Sequence, residues 1–287
     1  MHPFNYYAPE TVEEAIEILS KYGDRARCLA GGTDVLVQAR GEKFELDAIV
    51  DIKKIPQLTK LEWTDSYLIV GAATPCHILY EDSKVCEVFP GIVDSAFLIG
   101  GIQIQSRASL GGNLCNASPS ADAICSLIVH EVICEIAGPK GVREIPVEDM
   151  CTGPGKNALT EGEFLVSLKI PLKKGEFSAS YERFIPRNEM DIAVAAVASS
   201  VELSDGKVSS CRVALAAVGP TPIFAKEASE LLVGKEPTHE NIKKVSEKAK
   251  DIASPIADMR GTVEHRKDLI KVLTRRTIEK ALERAGG

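Results

Sequence analysis

Two short glycine-rich segments hold the residues whose types and spacing point to chemistry. The first is Ala30-Gly31-Gly32-Thr33-Asp34, preceded by Leu29 and followed by Val35. The second is Ser109-Leu110-Gly111-Gly112-Asn113, followed by Asn116-Ala117-Ser118-Pro119-Ser120-Ala121-Asp122. A Gly-Gly pair removes two side chains and admits backbone conformations that other residues avoid. Successive N–H groups can then line one concave nest suited to a phosphate. One such segment is common and weakly informative. Two of them, each ending in hydroxyl, amide or carboxylate groups, predict a diphosphate gripped from two sides.

The other reactive residue types form no comparable pattern. The eight cysteines, Cys28, Cys76, Cys86, Cys115, Cys125, Cys134, Cys151 and Cys211, never lie two or three apart, so no metal knuckle is spelled out. Several sit in apolar strings such as Val132-Ile133-Cys134-Glu135-Ile136, as expected of small buried hydrophobes in a reducing compartment. Cys115 is the one that adjoins a glycine segment. The histidines, His2, His77, His130, His239 and His265, show no metal spacing and no pairing with a nucleophile. Gly153-Pro154-Gly155-Lys156-Asn157-Ala158 mimics a dinucleotide fingerprint but lacks the strand before it and the helix after it. It also fails as a P-loop, because Met150 stands at the first glycine position and no Ser or Thr follows Lys156. A plain turn is expected there. No residue is assigned as catalytic, and no metal site is expected.

Elements that must position the two segments follow from periodicity and caps. Thr11-Val12-Glu13-Glu14 reads as a capping box, with Val12, Ala15, Ile16 and Leu19 at helical spacing and Gly23 as a stop. Strand Arg27 to Ala30 runs into the first glycine pair, then a short helix from Val35 to Arg40 and a strand from Ala48 to Ile52 complete a small α/β unit. Lys53 to Trp63 reads as a connector, Tyr67 to Ala72 as a strand and Pro75 to Asp82 as a helix. A single apolar helix from Glu87 to Ile99 leads to the second glycine pair, and Ala121 to His130 is another helix. Glu131 to Ala137 and Phe164 to Ile170 are strands. After a polar break at Lys173 to Glu176 come strands Ile192 to Leu203 and Val208 to Val218. Helices Phe224 to Val233, Asn241 to Ile252 and Glu264 to Arg284 close the chain.

The totals exclude whole classes. The chain has 287 residues, 45% of them hydrophobic, enough for a packed core. Lys plus Arg is 34 against 41 acids, a net charge of −7, which argues against a general nucleic-acid or membrane-surface binder. No apolar run approaches the roughly 20 residues that span a bilayer. Met1 to Tyr7 carries neither a basic start nor an apolar stretch, so a cytoplasmic location is expected.

Five motifs in order resemble the FAD-binding subunit of the molybdenum hydroxylases, the family that includes medium subunits of carbon monoxide, xanthine and nicotinate dehydrogenases. They are Pro9-Glu10-Thr11 through the Ala30–Asp34 turn; Gln103 to Asp122; Gly162-Glu163-Phe164-Leu165 through Ile170-Pro171; Tyr181-Glu182-Arg183-Phe184 through Arg187 and Asp191-Ile192-Ala193; and Pro255 to Gly261 with His265-Arg266. The resemblance implies an α+β chain. It comprises a two-part FAD-binding module of the vanillyl-alcohol-oxidase (PCMH) type, residues 1–57 and 58–172, and a smaller C-terminal α/β domain of sheet and helices, residues 177–287. It implies that Leu29 to Val35 and Ser109 to Asn113 embrace the FAD diphosphate, where charge-assisted donors act strongly. Asp122 aligns with an acid near the adenosine part, and it is equally placed to cap the helix starting near Ala121. Ile99 and Leu165 align with apolar positions that line the cofactor, and ordinary core positions look the same. Arg183 aligns with a basic residue near the flavin, with a surface cation as the alternative.

The resemblance further implies a hetero-oligomer, a heterotrimer or its double, with a molybdenum-cofactor large subunit and an iron–sulfur small subunit. Electrons would cross to FAD here and leave to NAD or another acceptor. Gln105-Ser106 stand where relatives carry Arg-Asn, while Arg107 is kept; Arg183 replaces a commoner lysine, and His265 a tyrosine. A cysteine-rich insertion found in relatives that reduce aromatic thioesters is missing. Two other readings share the cofactor loops: a self-sufficient flavin oxidase with its own substrate pocket and base, and a non-catalytic assembly subunit.

Overall fold

The computed structural model describes residues 2–286. The chain opens with β1 (Asn5–Tyr7), α1 (Val12–Tyr22), β2 (Ala26–Leu29), α2 (Val35–Arg40) and β3 (Ala48–Asp51). Its three strands form a parallel sheet in the order β1-β3-β2. Both parallel connections run through helices, as parallel pairing requires. The Thr11 hydroxyl accepts from the Glu14 amide at 3.2 Å, while the Glu14 carboxylate reaches back to the Glu10 amide at 2.9 Å. The capping box is thus formed with its return bond one residue early.

Next come β4 (Leu61–Trp63), β5 (Tyr67–Gly71), α3 (Cys76–Glu81), α4 (Ser83–Val88), α5 (Pro90–Ala96), α6 (Ile102–Gln105), α7 (Leu110–Asn116) and α8 (Asp122–Val129). β6 (Ile133–Gly138), β7 (Gly141–Pro146), β8 (Cys151–Gly153), β9 (Lys156–Asn157) and β10 (Phe164–Pro171) follow. A five-stranded antiparallel sheet results, ordered β4-β5-β10-β6-β7, and β8 and β9 make a separate hairpin. The expected single helix from Glu87 to Ile99 is broken. Pro90 starts α5 in the first-turn position proline favours, and Phe89, at φ −127° and ψ 52°, is non-helical. The expected connector before residue 63 contains β4, which pairs with β5.

The last third is β11 (Glu176–Phe184), β12 (Ala195–Ser204), β13 (Lys207–Ala216), β14 (Ile223–Phe224), α9 (Lys226–Glu230), α10 (His239–Ile252) and α11 (Val263–Ala285). The four strands form an antiparallel sheet in that order. The expected helix from Phe224 shrinks to α9, because Phe224 is taken into β14 opposite Ala214. β11 carries no sequence expectation of its own, yet it pairs with β12 along its whole length.

α8 ties the module to this sheet. Every one of its residues is buried, as a helix apolar all round must be. Its C-terminal carbonyls, which have no partners within the helix, are met from β12 and β13: Ser200 donates to Val129 O at 2.9 Å and Arg212 Nε to Ile128 O at 3.1 Å.

Candidate functional site

A cleft of about 1110 Å³ opens where the three-stranded unit meets the five-stranded one. β2 delivers the chain into Ala30-Gly31-Gly32-Thr33-Asp34, with Gly32 at φ +79°, a value glycine adopts without strain. The turn is braced from behind. Lys53 Nζ donates to Ala30 O at 2.9 Å and to Asp51 at 2.6 Å, and the Tyr6 hydroxyl donates to the other Asp51 oxygen at 2.7 Å. These contacts hold the Asp51 carboxyl below its usual range against the opposing effect of burial.

The second glycine pair is not the open turn expected. Ser109 caps α7, its hydroxyl accepting from Gly112 N at 3.1 Å, and both glycines lie in the first turn of that helix. Of the first-turn amides, Gly112 N is taken by this cap and Asn113 N by Ser109 O at 3.0 Å, which leaves Gly111 N without a partner within the helix. Glycine is required for a different reason, close packing. A Cβ on Gly111 would stand 2.4 Å from Ala72 O, and one on Gly31 only 2.1 Å from Arg107 O. Arg107 Nε in turn donates to Gly31 O at 3.1 Å, and Gln38 Nε2 to Asn116 Oδ1 at 2.8 Å. These contacts staple one wall to the other. Asn113 Oδ1 accepts from Ala123 N at 3.1 Å, which leaves its NH2 as the donor.

Of the residues named from sequence, Ala30, Gly31, Gly32, Thr33, Asp34, Val35, Ile99, Ser109, Gly111, Gly112, Asn113 and Leu165 line the cleft. Leu29 and Leu110 do not; both are turned into the core. Asp122 and Arg183 are also absent from the lining. Asp122 is buried and its carboxylate is committed, accepting from the Tyr181 hydroxyl at 2.6 Å and from Arg183 Nη1 at 2.7 Å. Burial pushes the Asp122 carboxyl up, opposed by Arg183 and Tyr181. The alternative of a side-chain cap at Asp122 does not hold, since α8 begins at this residue with Ala121 before it and no side-chain cap bond. Arg183 Nε keeps no hydrogen-bond partner although buried.

The sequence reading did not name other residues of the lining. Tyr22, Asp24, Arg27, Phe44, Thr160 and Glu161, drawn from α1, β2 and loops with no motif of their own, belong to it, as does Glu163 of the Gly162–Leu165 motif. Arg27 lies over the Phe44 ring at 4.6 Å, and Arg143 grips Glu163 through two bonds of 2.7 and 2.8 Å. That grip holds the Glu163 carboxyl down at about 2. The dinucleotide decoy is a turn, as expected: Gly155 and Asn157 belong to the β8–β9 hairpin. Both nevertheless line the cleft, and Asn157 Nδ2 donates to Cys115 O at 2.7 Å. Cys115 lines it too, with burial raising its thiol far above the ordinary range. Among the described residues no group of three or more His, Cys, Asp or Glu could hold a metal ion.

A cleft lined by both glycine segments, with apolar Ile99 and Leu165 in its wall and about 1110 Å³ of room, has space for a flavin dinucleotide. Comparison with known proteins agrees. Residues 2–173 match the family described as the FAD binding domain in molybdopterin dehydrogenase, and residues 180–281 the CO dehydrogenase flavoprotein C-terminal domain. The chain is 32% identical over 285 residues to the xanthine dehydrogenase FAD-binding subunit of Escherichia coli O157:H7, covering 99% of this chain and 97% of that one. It is 30% identical over 282 residues to the carbon monoxide dehydrogenase medium chain of Afipia carboxidovorans, covering 98% of each. Among solved structures, a chain of CO dehydrogenase from Oligotropha carboxidovorans superposes with a TM-score of 0.94 at 30% identity, covering 99% of each chain.

Proposed function

We propose, from the premise that this chain belongs to the family of FAD-binding medium subunits of the molybdenum hydroxylases, that it serves as the electron relay of such a complex. It binds FAD and is the flavoprotein component of an oxidoreductase. The relay takes electrons from iron–sulfur clusters on a small partner subunit, which is fed by a molybdenum-cofactor large subunit, and passes them to an acceptor such as NAD. Bound FAD supplies the redox chemistry, and the protein supplies binding, orientation and electrostatics. Ala30 to Asp34 and Ser109 to Asn113 hold the diphosphate through backbone amides and the Asn113 NH2. Ile99 and Leu165 shield the cofactor from water, and the Asp122–Arg183 pair supports it from behind the lining.

The observation that carries this reading is the cleft itself, walled on both sides by the two glycine segments stapled through Arg107 and Gly31. Exposed apolar side chains support partner subunits: Met259 is 97% exposed, Ile102 74% and Ile256 75%. No described helix is long and apolar enough to cross a membrane, in keeping with a complex that works in the cytoplasm. The expected result is that purified chain loaded with FAD oxidises neither xanthine, carbon monoxide nor aldehydes until both partner subunits are added. Robust oxidation by the FAD-loaded chain alone would overturn the relay and favour a self-sufficient oxidase.

A further inference from the structure

We propose that Arg143, which lies outside the cleft lining, is a positioning residue: it ties down the segment from Ala158 to Glu163 as a strap across the cleft and so sets how fast the cofactor leaves. The proposal rests on the reading of the cleft as the FAD site. Leu159, Thr160, Glu161, Gly162 and Glu163 all line the cleft, yet they belong to no helix or strand. The strap leaves the β8–β9 hairpin, meets the end of α1 and returns to β10. A Cβ on Gly23 would stand 3.1 Å from Glu161 Oε1, and one on Gly162 2.7 Å from Ser20 Oγ. The two units that form the cleft therefore meet here as well as at Gly31 and Arg107.

A segment outside helix and strand stays ordered only where its contacts outweigh its chain entropy, and Arg143 supplies those contacts at both ends. Its Nη2 donates to Ala158 O, where the strap begins, at 2.8 Å. Nη2 and Nε also donate to the two Glu163 carboxylate oxygens, where the strap ends, at 2.8 and 2.7 Å. Glu163 Oε2 accepts from Thr160 N at 2.8 Å, and Glu163 N donates to Thr160 O at 3.0 Å, which closes the strap into a tight loop. A planar guanidinium spans both ends at once, whereas a lysine ammonium has no such fork. β7 places Arg143 opposite Ile136 of β6, and Ile136 lies opposite Leu165 of β10. Gly138 keeps the path to Glu163 clear, because a Cβ there would stand 2.5 Å from Glu163 Cγ. The Arg143 side chain is 37% exposed, and ion pairs at the surface add little to global stability. Its effect is therefore local: without it the strap opens while both sheets stay folded.

The test uses the full-length chain, stripped of flavin and reloaded with FAD. Flavin fluorescence reads the association and dissociation rates, and urea unfolding reads the stability of the flavin-free chain. Arg143→Met keeps the stem and removes every donor. The expected result is an FAD dissociation rate raised about tenfold, with the association rate and the urea midpoint at native values. A glutamate-specific protease is expected to cut after Glu161 faster in this variant than in the native chain. Arg143→Lys keeps the charge but not the fork, and its dissociation rate is expected to stay close to that of Arg143→Met. A native dissociation rate or unchanged cleavage in Arg143→Met, a full return to the native rate in Arg143→Lys, or a fall in association rate together with a lowered midpoint would each overturn the strap. A native chain that binds no FAD would instead overturn the reading of the cleft itself.

Discussion

Replacing Gly31 with alanine tests the core of the site, because the clash it creates is with backbone and cannot be relieved by a rotamer. The added Cβ would stand 2.1 Å from Arg107 O, 2.6 Å from Arg107 C and 2.9 Å from Ala108 N, where ordinary contact begins near 3.4 Å. One wall must therefore retreat by about 1.3 Å. Overpacking of this kind costs about 1–3 kcal/mol, a sizeable share of the roughly 5–15 kcal/mol that holds a domain folded. The same retreat pulls the first turn off its Arg107 bond and misaligns the amides that are proposed to hold the diphosphate. Each hydrogen bond to a charged group contributes about 1.5–3 kcal/mol, so losing one weakens FAD binding at least about tenfold. Urea unfolding of the flavin-free chain reads the first effect and a flavin-fluorescence titration the second. A Gly31→Ala chain with native midpoint and native FAD affinity would refute the argument that the two walls meet at this glycine.

Gly112→Ala separates binding from folding: its Cβ would meet only the Ser109 hydroxyl, at 3.1 Å, and Ala30 Cβ, at 4.0 Å. Helix propensity then favours the variant by up to about 1 kcal/mol, while the methyl intrudes on the cleft, so thermal unfolding shows a stable chain and titration a weakened FAD affinity. His130 is buried between the Phe89 and Phe177 rings, and burial lowers its pKa from 6.5 to about 4. The unfolded chain takes up a proton below 6.5 that the folded one refuses until about 4, so stability falls by about 3 kcal/mol across that window. His130→Phe should flatten the fall in urea midpoints between pH 6.5 and 4; Ser126 O stays satisfied by the residue-130 amide at 3.2 Å. Asp122→Ala strands the buried Arg183 charge and should cost about 3–5 kcal/mol in urea unfolding, whereas a loss confined to FAD affinity would show that Asp122 serves the cofactor and not the join with β11.

Most of the regular elements, and the two segments that matter, are legible in the residues because their causes are local. Thr11 and Ser109 cap helices through their own hydroxyls, Gly32 takes a positive φ, and the apolar run of α8 announces a buried helix. Local signals misled where a neighbour in space overruled them: Phe224 joins β14 because β13 offers an edge, and the Gly111-Gly112 pair is helical because Ser109 caps it. Other residues of the cleft lining were invisible for a related reason. Arg27, Phe44 and Glu161 are unremarkable in sequence and acquire a role only when separate loops converge. By itself, then, the sequence determined that the chain carries paired glycine segments of the flavoprotein type and alternates helix and strand around them. Only the tertiary structure decided that Gly31 and Gly111 are demanded by backbone meeting backbone, that Asp122 and Arg183 face each other, and that Arg27 lies over Phe44 in the lining of the cleft. Periodicity, caps and turns are set by residues a few positions apart, whereas contacts such as Gly31 against Arg107 depend on how whole elements pack.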